Sequence, residues 1–222
     1  MNIFKPFRFL PKLEIEAQAN AILDAMKEVP KYYPRYPLDA SRVAEFLGLD
    51  VVWDRIPADE TGSIAARILP LDYLIEINED IPQLRGGFGE STIAHEIGHW
   101  VLHIDREAVF QLANDQKQGL KITVEPLLCR NASKLRGIEW QAQYFSSCLL
   151  MPESILQATR EHTDLTCWRN LYTIADELGV TISNLVYRLQ DLGWIHLNRD
   201  SRKITLATTL ADEEYEWVYV EA

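Results

Sequence analysis

Three of the chain's five histidines, His95, His99 and His103, fall in one run, STIAHEIGHWVLH. His95-Glu96-Ile97-Gly98-His99 has the HExxH spacing. On a helix, residues four apart are offset by about 40° and one turn, so two imidazoles can converge on a single ion. Glu96 lies about 100° round from His95, where its carboxylate reaches a water on that ion without ligating the metal. Zinc lowers the pKa of such a water toward neutrality, and a neighbouring carboxylate takes the proton as the water attacks a carbonyl. The pattern predicts Zn2+ on His95 and His99, with Glu96 as the catalytic base.

Two histidines need a third protein ligand. His103 lies two turns from His95, roughly 12 Å along the axis, so one ion cannot take both. A His99–His103 pair is geometrically possible but leaves Glu96 on the far side. A ligand at Asp105 requires a sharp turn, and Leu102 stands where a glycine would make one. A carboxylate from a downstream helix is the other route. Glu139 heads the apolar run IEWQAQYFSSCLL, where a carboxylate is costly unless paired or metal-bound. Glu107 and Glu125 are the spares, and Tyr144 is a candidate for leaning over the metal to stabilise an oxyanion.

Periodicity supplies the elements that must position these groups. Residues 13–28 and 40–47 read as helices, the second capped by Asp39 and stopped by Gly48. Strands are expected at 51–56, 63–70 and 72–79. The mixed face of the last suggests a sheet edge beside the cleft, where an extended peptide could add as a strand. Gly86, Gly87 and Gly89 read as a flexible lead-in to a helix starting near Ser91 or Thr92. A helix at 105–118, a strand-like KITVE at 121–125 and a helix at 138–150 follow. Beyond Pro152 the pattern gives another helix start, then helix, Gly179 turn, Thr181 cap, helix, Gly193 stop and a hairpin across 198–202. EWVYV at 216–220 reads as an added edge strand. The expected fold is α+β: a zincin-like domain over 1–152 and a helix-turn-helix-like C-terminal subdomain over 153–222.

The run from 62 to 197 resembles the ImmA/IrrE family of zinc metallopeptidases. The family pattern is a glycine, a strand ending in Asn, an Arg and Phe before an AHExGHxxLH block, then an E-x-x-A-x-x-F-A-x-x-LLMP block. This chain has Gly62, Ile75-Glu76-Ile77-Asn78, Arg85, Phe88, AHEIGHWVLH from Ala94 and EWQAQYFSSCLLMP from Glu139. Gln143 stands where Asn is usual and Ser146 where Ala is, and neither is a ligand position. The resemblance implies that Glu139 is the third zinc ligand and marks Asn78 as a candidate substrate contact. It also implies a protein substrate, often a helix-turn-helix repressor, in a stress-response or mobile-element circuit of regulatory proteolysis.

With 33 acidic against 22 basic residues the formal charge is -11, which opposes binding to nucleic acid. The C-terminal pattern resembles a winged helix-turn-helix, but its second helix carries a lone cation, Arg188, beside Asp191. We therefore expect protein recognition there and no specific DNA binding. Glu76, Glu79 and Glu90 are expected to line the cleft and attract a basic partner. No run of about 18 apolar residues offers a membrane span, and the N-terminus, broken by Pro6 and Pro11, reads as mature sequence. Three cysteines without a CxxC pair suit buried, reduced thiols in a cytoplasm. The rival to a cytoplasmic endopeptidase is a non-catalytic interaction module of a regulatory or toxin–antitoxin-like pair with a structural metal site. Such a site needs ligands but no base.

Overall fold

The computed structural model describes residues 3–60, 62–84, 86–130 and 137–207. Helix α1 (Lys12–Lys27) buries Ile15, Ala19, Leu23 and Met26, an apolar stripe at helical spacing. Helix α2 (Ala40–Phe46) starts at Asp39, whose side chain accepts the Arg42 N–H, as a cap should. Four strands then build one sheet: β1 (Asp50–Asp54), β2 (Ile64–Leu69), β3 (Leu74–Asn78) and β4 (Leu127–Arg130).

The sheet order is β1-β3-β2-β4, so β3 is central and not the expected edge. It pairs in parallel with β1 and antiparallel with β2. The polar residue that made β3 look like an edge, Glu76, lies directly opposite Arg67 on β2, and the two form an ion pair. A cross-strand pair of opposite charge lets an interior strand carry a polar face. Strand addition at β3 is thereby ruled out; β1 and β4 are the edges. KITVE forms no strand, and pairing begins only at Leu127, past Pro126.

Helix α3 (Gly87–Leu102) starts earlier than expected and includes two of the glycines read as flexible. A Cβ at Gly89 would sit 2.0 Å from the Leu84 carbonyl oxygen, so that glycine serves close packing. Helix α4 (Arg106–Lys117) follows, and α5 (Ile138–Leu150) packs along α3. At the α3–α5 contact a Cβ on Gly98 would meet Ala142 Cα and O at 3.0 Å. Glycine there lets the two backbones approach. Ser146 on α5 donates to the Ser91 carbonyl on α3 at 3.0 Å, fixing the crossing.

The C-terminal part is helical, with α6 (Glu153–Arg160), α7 (Trp168–Leu178) and α8 (Ile182–Asp191), then a hairpin of β5 (Ile195–Asn198) and β6 (Lys203–Leu206). Gly179 takes the left-handed conformation after α7, and Thr181 caps α8 by accepting the Asn184 N–H. Asn184 also donates to Ser91 Oγ at 2.7 Å, tying α8 to α3. Cys148 is buried as expected, whereas Cys167 is exposed. Arg85 and EWVYV lie outside the described residues. Among the described residues no helix is long and apolar enough to cross a membrane.

Candidate metal centre

Helix α3 is buried on nearly all sides, and its core-facing residues include His95, Glu96 and His99. A helix buried all round normally carries only apolar side chains, so three ionisable groups on one turn require a compensating arrangement. Helix α5 supplies it. Glu139 Oε2 lies 3.1 Å from His95 Nε2, and Glu139 Oε1 lies 3.4 Å from His99 Nε2. The two imidazole Nε2 atoms are 3.0 Å apart. Metal-ligand bonds near 2.1 Å at tetrahedral angles would space their donors roughly 3.3 Å apart, so these three fit one ion. His95, His99 and Glu139 form the one such group among the described residues, with donor atoms all within 4.8 Å of one another.

No protein-family model and no curated protein matches this chain. The geometry is that of a zincin-type metal site: two imidazoles and a carboxylate, a donor set suited to zinc. It is compatible with metalloendopeptidase chemistry. The local field also favours a cation. Burial works against the imidazolium of His95, but its contact with Glu139 and the charge of Glu96 raise its pKa above the ordinary value. Burial would raise Glu139, yet its contact with His95 and the nearness of His99 hold its carboxyl well below the usual carboxylate range. Burial lowers His99 to about 4, so this ring is neutral and able to ligate at physiological pH.

Glu96 is completely buried, adjoins His95 on α3, and acts on it electrostatically. Gln143, one turn along α5 from Glu139, favours the protonated form of His95. His103 is no ligand: its Nδ1 lies 3.0 Å from His99 Nδ1, on the side of that ring away from the cluster. Asp105 is spent capping α4, accepting the N–H groups of Glu107 and Ala108, while Glu107 and Glu125 are exposed.

Tyr144 and Asn78 have other partners. The Tyr144 hydroxyl receives Arg188 Nη1 at 3.4 Å, and burial pushes its pKa far up. Asn78 is buried and clamps the sheet end, donating to the Ile56 and Ile64 carbonyls at 2.9 and 2.8 Å. The acids expected to line the cleft are engaged as well. Glu90 accepts the Ala40 N–H at 2.7 Å, Glu76 pairs with Arg67, and Glu79 pairs with Arg55. Sequence reasoning gave no role to Gln141, whose partners lie 38 and 133 positions away.

Proposed function

We propose that this chain is a zinc-dependent endopeptidase of the ImmA/IrrE kind, cutting a cytoplasmic protein partner such as a transcriptional repressor or regulator. The observation carrying this reading is that two Nε2 atoms and a carboxylate converge beside a fully buried Glu96 on the same helix turn. Zinc in such a site supplies a Lewis acid and a water acidic enough to act as nucleophile at neutral pH. Glu96 takes the proton of the attacking water at a carboxylate oxygen and delivers it to the departing amine nitrogen. Glu139 stays ionised through its contacts with both histidines, and neutral His99 keeps a lone pair for ligation.

A zinc ion held by His95, His99 and Glu139 would have three protein ligands, which would leave it open to water or substrate. A structural site in a non-catalytic module would have no use for Glu96. An extended substrate would add at the β1 or β4 edge, and the C-terminal part from residue 153 would contribute to recognition of the partner. The net charge of -11 favours a cationic partner.

Glu96→Gln tests the reading. The variant should fold, retain zinc, and be about 10²–10⁴-fold slower to cleave a repressor that the wild type cuts. Undiminished cleavage by the variant, read by mass spectrometry of the fragments, would reject a catalytic Glu96.

A further inference from the structure

His103 is excluded as a ligand of the His95/His99/Glu139 cluster, yet it is 7% exposed and both of its ring nitrogens are engaged. Its Nδ1 faces His99 Nδ1 at 3.0 Å, and its Nε2 faces Gln141 Oε1 at 2.9 Å. Gln141, 1% exposed, in turn donates from Nε2 to the backbone carbonyl of Arg8 at 2.9 Å. The four groups form one unbranched chain from the N-terminal segment to the metal cluster.

The direction of every proton in that chain follows from its far end. A backbone carbonyl only accepts, so the Gln141 NH₂ must face Arg8 and the Gln141 carbonyl oxygen must face His103. That oxygen only accepts, so the proton of neutral His103 sits on Nε2. His103 Nδ1 is then a lone pair, and the hydrogen between the two rings belongs to His99 Nδ1. His99 Nε2 is left bare, aimed at His95 and Glu139. Reversing any link would set two acceptors or two donors against each other in a buried site.

We propose that the Arg8 carbonyl, Gln141 and His103 form a one-way hydrogen-bond relay that locks His99 in the tautomer able to ligate the metal. His103 is thus a positioning residue, acting through His99. The N-terminal segment is part of the device and is itself fastened to α3 and its exit. Lys5 N–H donates to the His103 carbonyl at 2.8 Å, Asp105 N–H donates to Ile3 at 2.8 Å, and Phe9 stacks on Trp140 with ring centroids 6.1 Å apart. Partners in this outer position orient ligating histidines and raise their basicity, and their loss commonly weakens metal binding about 10–100-fold. The inference rests on the metal reading above, although the tautomer of His99 can be measured without the metal.

Two substitutions at one position separate a relay from a core filler. In His103→Asn, Oδ1 takes the place of Nδ1 and still accepts from His99; in His103→Leu the site stays apolar and filled but no acceptor is left. Zinc affinity, read by chelator competition on the full chain, should fall about 10–100-fold in His103→Leu and only a few-fold in His103→Asn. Thermal stability need not follow that order. Gln141→Met, which removes both outer links, should weaken zinc in the same direction and serves if His103→Leu does not fold. Nitrogen-15 spectra of the zinc-free wild type should show the His99 proton on Nδ1, and His103→Leu should show a mixture of tautomers. Zinc binding by His103→Leu equal to wild type, or a His99 proton on Nε2 in the wild type, overturns the relay. Wild-type protein that binds no zinc would reject the metal reading instead, with the nitrogen spectra still deciding the relay.

Discussion

Two buried polar clusters lean on helix α5, and they are built on opposite principles. Along one row of the helix, Glu139 and Gln143 face His95 and His99. Along another, Tyr144 and Met151 face Arg188, which is wholly buried. The Arg188 guanidinium pairs with Glu16 on α1, donates to the Met151 carbonyl at 3.2 Å, and lies 5.8 Å from the Tyr144 ring centroid. Each guanidinium nitrogen there meets an acceptor from the protein, and Glu16 balances the charge. At the histidine cluster three basic donors face one another, an arrangement that one cation shared among them satisfies. A buried ion pair and a metal site thus sit on one helix, told apart by whether donors meet acceptors or acceptors converge.

The most damaging test of that contrast is Arg188→Met. Removing one partner of a buried pair leaves Glu16 as an uncompensated charge, so a stability loss of about 3–5 kcal/mol is expected in denaturant unfolding. Replacing both, Arg188→Met with Glu16→Leu, should recover most of it. A single-variant loss under about 1 kcal/mol would mean the pair is no closed unit. Glu139→Gln should behave in the reverse way. It should abolish stoichiometric zinc by elemental analysis and cost the zinc-free fold less than Arg188→Met does, because the carboxylate is partly exposed and the amide oxygen that replaces it can still accept from His95. Unchanged zinc content would remove Glu139 from the site.

The two clusters also differ in how far they could be read beforehand. His95, Glu96 and His99 are local, four positions on one helix, and Glu139 stood out as an acid heading an apolar run. Helix α5 spans the expected residues, and the helix pair with its Gly179 turn and Thr181 cap forms from purely local turn chemistry. What stayed hidden is non-local. The central place of β3 depends on β1 returning in parallel beside it, and no residue in either strand announces that partner. Arg188 read only as the lone cation of its helix because its partner, Glu16, lies 172 positions away. Gly98 showed only as the glycine of AHEIGH, whereas contact with Ala142 makes it a point of close approach between the two helices.

Gly98→Ala is the next test, smaller in effect because nothing charged is disturbed. The new methyl group would meet the Ala142 backbone at 3.0 Å and the Phe145 ring at 3.2 Å, so α3 and α5 must part by a few tenths of an ångström. Overpacking of this sort costs about 1–3 kcal/mol. The histidines move with α3 and Glu139 with α5, so zinc affinity should fall too, while the Arg188 cluster, which does not include α3, keeps its geometry. Full zinc affinity in a correctly folded Gly98→Ala protein would show that the triad tolerates a wider helix spacing than its 3.0 to 3.4 Å contacts suggest.

The smallest expected effect is on nucleic acid, where we expect none that is sequence-specific. Helix α8 follows a helix and a turn and precedes a hairpin, the order of elements in a winged helix-turn-helix. Its one arginine, however, is turned inward to Glu16, and Asp191 at its end pairs with Lys12 of α1 at 2.7 Å. With Arg188 and Asp191 both engaged by α1, residues 165–207 present four cations, Arg169, Arg199, Arg202 and Lys203, against three acids, Asp176, Glu177 and Asp200. Phosphate contacts supply most of the affinity of duplex binding, and a surplus of a single charge offers little for them. Mobility shifts at low and physiological salt should therefore show at most weak binding that vanishes as salt rises. Sequence-specific binding at physiological salt would mean that α8 reads bases without its arginine, and the contrast between the two clusters would lose its functional meaning.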